Sequence, residues 1–201
     1  LASAYLAEGN TEEARKGVAT VWRDMTIPAT LETGFLRRFQ PLLTEADHKW
    51  RFDRLVNDDI RWAGNRADRA AVAKRVIPLL SGDEQKKANA RLAVFNKAKN
   101  ARTLLEGLDH DHADDPGLAF HRAHVLRRSD RPSEAAKIIL SVPPDPQKIP
   151  NLDEWWAERR QLAYAALKAR NPKLAYELTR DAGPLSVNPR KEQTFMAGWI
   201  A

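Results

Sequence analysis

Apolar residues recur at three- and four-residue intervals along almost the whole chain, which is the spacing of one helix face. The clearest instance runs from Asn151 to Asn171. Trp155, Leu162, Ala166 and Ala169 share a face there, while Glu158, Arg159 and Lys168 are expected to face water. Asn151 and Asp153 stand where a helix start wants a cap. Trp155 and Trp156 are neighbours, so they point roughly 100° apart and are expected to bury against different elements. Asn171-Pro172 then ends one helix and begins another, with Asn as cap and Pro at the first helical position. The unit is a helical hairpin, and weaker copies fill the chain.

Taken in order, a first helix ends at Gly9, and Asn10 with Glu13 opens the next, whose core positions are Ala14, Val18, Val21, Trp22 and Met25. It stops before Pro28. A third, from Thr30 to Phe39, carries Leu31, Phe35, Leu36 and Phe39 and is closed by Pro41. Thr44 to Asp47 opens a longer one with Trp50, Leu55, Ile60 and Trp62, and Gly64-Asn65 breaks it. Arg66 to Ile77 ends at Pro78, and Ser81 to Glu84 starts a helix bearing Ala88, Leu92 and Phe95. A shorter one near Lys97 to Leu108 holds Ala101, Leu104 and Leu105. After the polar loop 109–115, Asp115-Pro116 starts a helix with Leu118, His121, Val125 and Leu126. Asp130 is expected to cap its partner, which holds Ala135, Ala136, Ile138 and Leu140. The last helix is expected to start at Asn188-Pro189, after a loop at Gly183-Pro184.

No stretch alternates apolar and polar residues as a strand would. The expected fold is all-α, a right-handed α-superhelix of antiparallel helical hairpins, tetratricopeptide-like but irregular in period. About ten short helices are expected. Residues 1–142 form one superhelical segment, the proline-rich stretch 143–150 a linker, and 151–201 further hairpins. No apolar run is long enough for a membrane span. Both ends read as cut inside helical patterns, so a fragment is expected, and no signal peptide is visible.

Cysteine is absent, which removes disulfides, thiolate metal sites and cysteine nucleophiles. The net charge is +6. Residues 51–100 hold 12 Lys and Arg against 6 Asp and Glu, so the excess is concentrated there. Lys86, Lys87 and Arg91 fall on the polar side of the helix whose apolar side is Ala88, Leu92 and Phe95. With Lys97, Lys99 and Arg102 they make a candidate surface for an anionic ligand.

Candidate chemistry is thin. Asp109-His110-Asp111-His112 with Asp114 and Asp115 is the most metal-like segment, but it lacks the glycine and glutamate of a calcium loop and reads as a solvated loop with a helix cap. His121 and His124 share a helix face without a third ligand. Adjacent acidic pairs at Glu12-Glu13, Asp58-Asp59 and Asp114-Asp115 diverge on a helix. No phosphate-loop, dinucleotide or nucleophile-elbow motif occurs. Trp155 with Arg159 and Trp156 with Arg160 are able to stack and line a sugar site, though core packing explains them more simply. No catalytic, metal or cofactor residue is assigned.

One ordered set of segments goes further. It comprises Phe35-Leu-Arg-Arg-Phe39, Leu42-Leu-Thr-Glu-Ala-Asp-His48, Arg51-Phe-Asp-Arg-Leu55, Asp115-Pro-Gly-Leu118 with Arg122-Ala123, and Leu126-Arg-Arg128. Glu154-Trp-Trp-Ala-Glu-Arg-Arg160, Ala175-Tyr176 and Phe195-Met-Ala-Gly-Trp-Ile-Ala201 complete it. Together they resemble the helical, non-catalytic region of soluble lytic murein transglycosylases. The resemblance implies a periplasmic parent that cleaves peptidoglycan glycan strands with formation of 1,6-anhydro-muramic acid. It implies as partners peptidoglycan and a following lysozyme-like catalytic domain, whose catalytic glutamate lies in a Glu-Ser dipeptide. No Glu-Ser occurs in this chain, so the region is expected to be inert alone. The alternatives are a tetratricopeptide-like adaptor holding a partner peptide in its concave face and, weakest, a nucleic-acid binder using residues 51–100.

Overall fold

The computed structural model describes residues 1–57, 65–108 and 114–201. The expected core positions Ile60 and Trp62, the Asp58-Asp59 pair and the loop residues Asp109, His110, Asp111 and His112 lie outside them. Among the described residues every regular element is helical: α1 (Ala2–Ala7), α2 (Thr11–Asp24), α3 (Ala29–Phe39), α4 (Glu45–Val56), α5 (Arg66–Val76), α6 (Gly82–Phe95), α7 (Ala101–Glu106), α8 (Pro116–Arg128), α9 (Pro132–Ser141), α10 (Leu152–Lys168), α11 (Pro172–Arg180) and α12 (Val187–Ile200). Short 3-10 turns at Gln40–Leu42 and Ile77–Leu79 mark where Pro41 and Pro78 stop a preceding helix.

Side-chain caps explain half of the twelve helix starts among the described residues. Asn10, Asn65, Asp115, Asn151 and Asn171 each accept from the backbone N–H three residues on. Thr44 and Asp47 satisfy each other's backbone N–H groups in the same way at α4. Two expected starts move. Asp130 is not a cap; it takes a left-handed conformation (φ 58°), and Arg131 precedes α9. The last helix begins at Val187 after Ser186, because Pro189 in the first turn gives up an N–H that has no helical partner anyway.

One turn recurs. Gly9, Lys97, Asp130 and Arg170 all have positive φ just past a helix end. The next N–H in each case bonds five residues back, as in Asn10 to Tyr5 (2.8 Å), Ala98 to Ala93 (2.9 Å), Arg131 to Leu126 (3.0 Å) and Asn171 to Ala166 (2.9 Å). At Asn10, Arg131 and Asn171 the same residue also precedes the incoming helix, so α1 folds onto α2, α8 onto α9 and α10 onto α11.

The chain divides into two compact units, Leu1–Val56 with Ile60–Leu92 and Asn57–Asp59 with Ala93–Ala201. The first is built around Trp22, which is fully buried. Phe35 stacks on it at 5.8 Å between ring centres and His48 meets it edge-on at 5.5 Å. Charge sits in this core too. Arg51 is 1% exposed and donates to the carbonyl oxygens of Trp22 (2.6 Å) and Met25 (3.1 Å), the unpaired acceptors at the end of α2. Buried Glu32 lies 3.7 Å from Arg51 and accepts from Arg75 at 2.7 and 3.2 Å. Met25 and Leu31, expected inside, are instead exposed at the unit's surface.

The second unit has the alanine-lined faces that close helix packing needs: Ala119, Ala123, Ala135, Ala136, Ala163, Ala166 and Ala175 are all buried. Trp155 packs on Phe120 of α8 at 5.9 Å, and Trp156 donates to Glu192 of α12 at 2.9 Å, so the two neighbours do serve different elements. Ala169 and Leu104, expected inside, are exposed. The stretch 143–150 lies within this unit and is tied to it by the buried side chains of Ile149 and of Val142 just before it.

Candidate functional site

Glu158 and Arg159, expected to face water, are both buried. Glu158 accepts from Arg127 Nη2 (3.0 Å) and faces His124 Nδ1 (3.1 Å), both on α8. Burial alone would raise its pKa; the hydrogen bonds from His124 and Arg127 outweigh that and hold the carboxyl below its ordinary value. Arg159 donates to the carbonyl oxygens of Leu178 (2.8 Å) and Glu177 (3.2 Å) at the end of α11. Burial, partly offset by Asp181, pulls its pKa down to about 10. Arg160 shares Glu192 with Trp156. The Trp-Trp-x-Glu-Arg-Arg segment is thus occupied by contacts between helices.

The proposed basic surface loses one member. Arg91 is 1% exposed, paired with Asp53 and lying 5.2 Å from the Phe52 ring centre, because its position on α6 faces α4 and not solvent. Lys86 and Lys87 pair with Asp83 (3.1 Å) and Glu84 (2.8 Å) one turn back. Lys97 holds the left-handed turn after α6, and Lys99 is exposed. Lys86, Lys87 and Arg91 belong to the first unit, whereas Lys97, Lys99 and Arg102 belong to the second. His121 is buried with Nδ1 3.0 Å from the Gly117 carbonyl oxygen. Among the described residues no three His, Asp or Glu side chains gather as a metal site requires.

Arg102 lines a cleft of about 490 Å³ between α7 and the α8–α9 hairpin. Leu105, Val125, Leu126 and Ile138 supply its apolar surface. Buried Arg122 beneath it donates to the carbonyl oxygens of Leu105 (3.0 Å) and Leu108 (2.8 Å), which fixes the end of α7 against α8. Arg102 pairs with Glu106 at 2.7 Å, and Arg131 grips Glu134 with two hydrogen bonds. The hydrogen bond from Arg131 keeps the Glu134 carboxyl below its ordinary pKa. Lys137 completes the rim. A cleft of this size with an apolar floor and a charged edge suits a small amphipathic ligand. Sequence periodicity places Val125, Leu126 and Ile138 in the core; they are only half-buried because α7 is too short to cover them.

Comparison with known proteins adds no relative: no family model, curated protein or solved structure matches the chain.

Proposed function

We propose that this chain is a helical scaffold region of a soluble lytic transglycosylase, a periplasmic enzyme cleaving peptidoglycan glycan strands with 1,6-anhydro-muramic acid formation. In this reading the hairpins continue one another as a right-handed superhelix, a lysozyme-like domain supplies the chemistry, and this region is inert alone. The ordered set of resembling segments suggests the reading. The observation that carries it is the use made of the most specific segment: Trp155 packs on Phe120, Trp156 and Arg160 meet Glu192, Glu158 meets α8, and Arg159 closes α11. A segment spent on joining helices is what a scaffold needs and what an active site cannot spare.

The test reads the full open reading frame and assays its product on purified sacculi. A frame that carries a Glu-Ser motif within about 150–200 residues of this region, one further domain's length, and a product releasing anhydro-muropeptides support the reading. A frame without a lysozyme-like domain overturns it.

A further inference from the structure

We propose that the α7–α9 cleft binds the carboxyl-terminal end of a peptide with aliphatic side chains. The inference is independent of the scaffold reading. Among the described residues the floor is aliphatic, with no aromatic platform: Leu105, Val125, Leu126 and Ile138. Aliphatic side chains therefore fit it better than sugars or bases, which ask for stacking surfaces.

Charge selects the rest of the ligand. The rim carries Arg102, Arg131 and Lys137 against Glu106 and Glu134. Glu106 and Glu134 are each engaged by an arginine of their own helix or helix start. Lys137 is exposed and is the third cation of the rim, its charge reaching Glu134 only at longer range than the Arg131 hydrogen bonds. Among the described lining residues of the rim, cations therefore outnumber carboxylates, three to two. Exposed ion pairs are worth little, so Arg102 and Arg131 can turn to an incoming carboxylate at small cost. A chain end brings such a carboxylate beside its last side chains, and a site of about 490 Å³ holds a few residues and not a folded partner.

The probe is a fluorescein-labelled hexapeptide containing two leucines and an aspartate, with a free C-terminal carboxylate, titrated with the whole protein and followed by anisotropy. Binding is expected to weaken about tenfold when the C-terminus is amidated, and similarly in Lys137→Glu. Ile138→Asn tests the floor independently and is expected to abolish binding. Circular dichroism on both variants shows that the helices persist. Binding that is insensitive to amidation and to Lys137→Glu overturns the proposal. So does absence of binding at millimolar protein, or a saturated fatty carboxylate that binds where the peptide does not.

Discussion

The guanidinium carbon of Arg51 lies 4.3 Å from the centre of the Trp22 ring, while the same side chain donates to the Trp22 carbonyl oxygen at 2.6 Å. One residue thus packs against a helix and closes its end. The device is repeated: buried Arg122 donates to Leu105 in the last turn of α7 and to Leu108 just past it, and buried Arg159 donates to Glu177 and Leu178 at the end of α11. A planar fork of donors reaches both acceptors, and the positive charge faces the negative end of the helix dipole.

Arg159→Ala is therefore expected to destabilise the protein by about 2–4 kcal/mol, because the buried Leu178 carbonyl and the half-buried Glu177 carbonyl lose their donor and a void opens. Arg159→Lys should recover less than half of the loss, since an ammonium cannot reproduce the fork. Urea denaturation followed by circular dichroism measures both. Full recovery by lysine would show that charge alone matters.

A second expectation concerns pH. Burial lowers the pKa of His48, opposed by Asp47 and Glu45 and aided by Arg51. The folded state then binds fewer protons than the unfolded state just below the ordinary histidine value of about 6.5. Stability from this group is fully present above that value and is lost as pH falls through it. Asp47 and Glu158 act in a lower window. Burial opposes ionisation of both, but Thr44 with Arg23, and His124 with Arg127, hold the carboxyls below their ordinary values. Their contribution is present above about pH 4 and is lost below it. His48→Phe keeps the edge-on contact with Trp22 and should reduce the fall in midpoint between pH 7.5 and 5.5, leaving the drop below pH 4. An unchanged profile would remove His48 as its source.

Local signals in the sequence were enough for most of the helices and their joints, the starts of α9 and α12 excepted. Asn10, Asn65, Asp115, Asn151 and Asn171 are caps because an oxygen on a short side chain reaches an N–H three residues away. Arg91, Glu158 and Arg159 could not be placed this way. Their partners Asp53, His124 and Leu178 lie on other helices, and helical periodicity alone assigns a charge to solvent. The cleft was hidden for a related reason. Its aliphatic floor follows the same periodicity as the core, and only the shortness of α7 leaves it open.

The recurrent turn supplies a third test. Arg170 holds φ 57°, a conformation that costs a side chain about 1–2 kcal/mol. Glycine avoids that cost but loses more freedom on folding. Arg170→Gly is expected to stabilise by about 0.5–1 kcal/mol net, whereas Gly9→Ala, at φ 76°, should destabilise by about 1 kcal/mol. Thermal denaturation of the two variants separates the turn's preference from any general effect of glycine. Destabilisation by both would refute it.

Gly183 is a harsher case, because geometry and space act together. Its φ is 79°, and a Cβ there would stand 2.9 Å from both the Cβ and the carbonyl oxygen of Pro144 and 3.3 Å from a methyl of Leu152. The neighbour is a proline in the stretch before α10, whose backbone cannot swing aside as a flexible side chain would. Gly183→Ala should therefore cost about 2–4 kcal/mol, combining left-handed strain with overpacking. Val142 and Ile149, buried on either side of Pro144, transmit the displacement to the core that Trp155 and Trp156 share. A shift in tryptophan emission is expected alongside the loss of stability. Pro144→Gly in the Gly183→Ala background removes the Cβ from the contact, frees the backbone around the carbonyl oxygen, and should restore part of the loss. If the double variant is no more stable than Gly183→Ala alone, the strain resides in the φ angle and not in the packing of 143–150 against the α11–α12 loop.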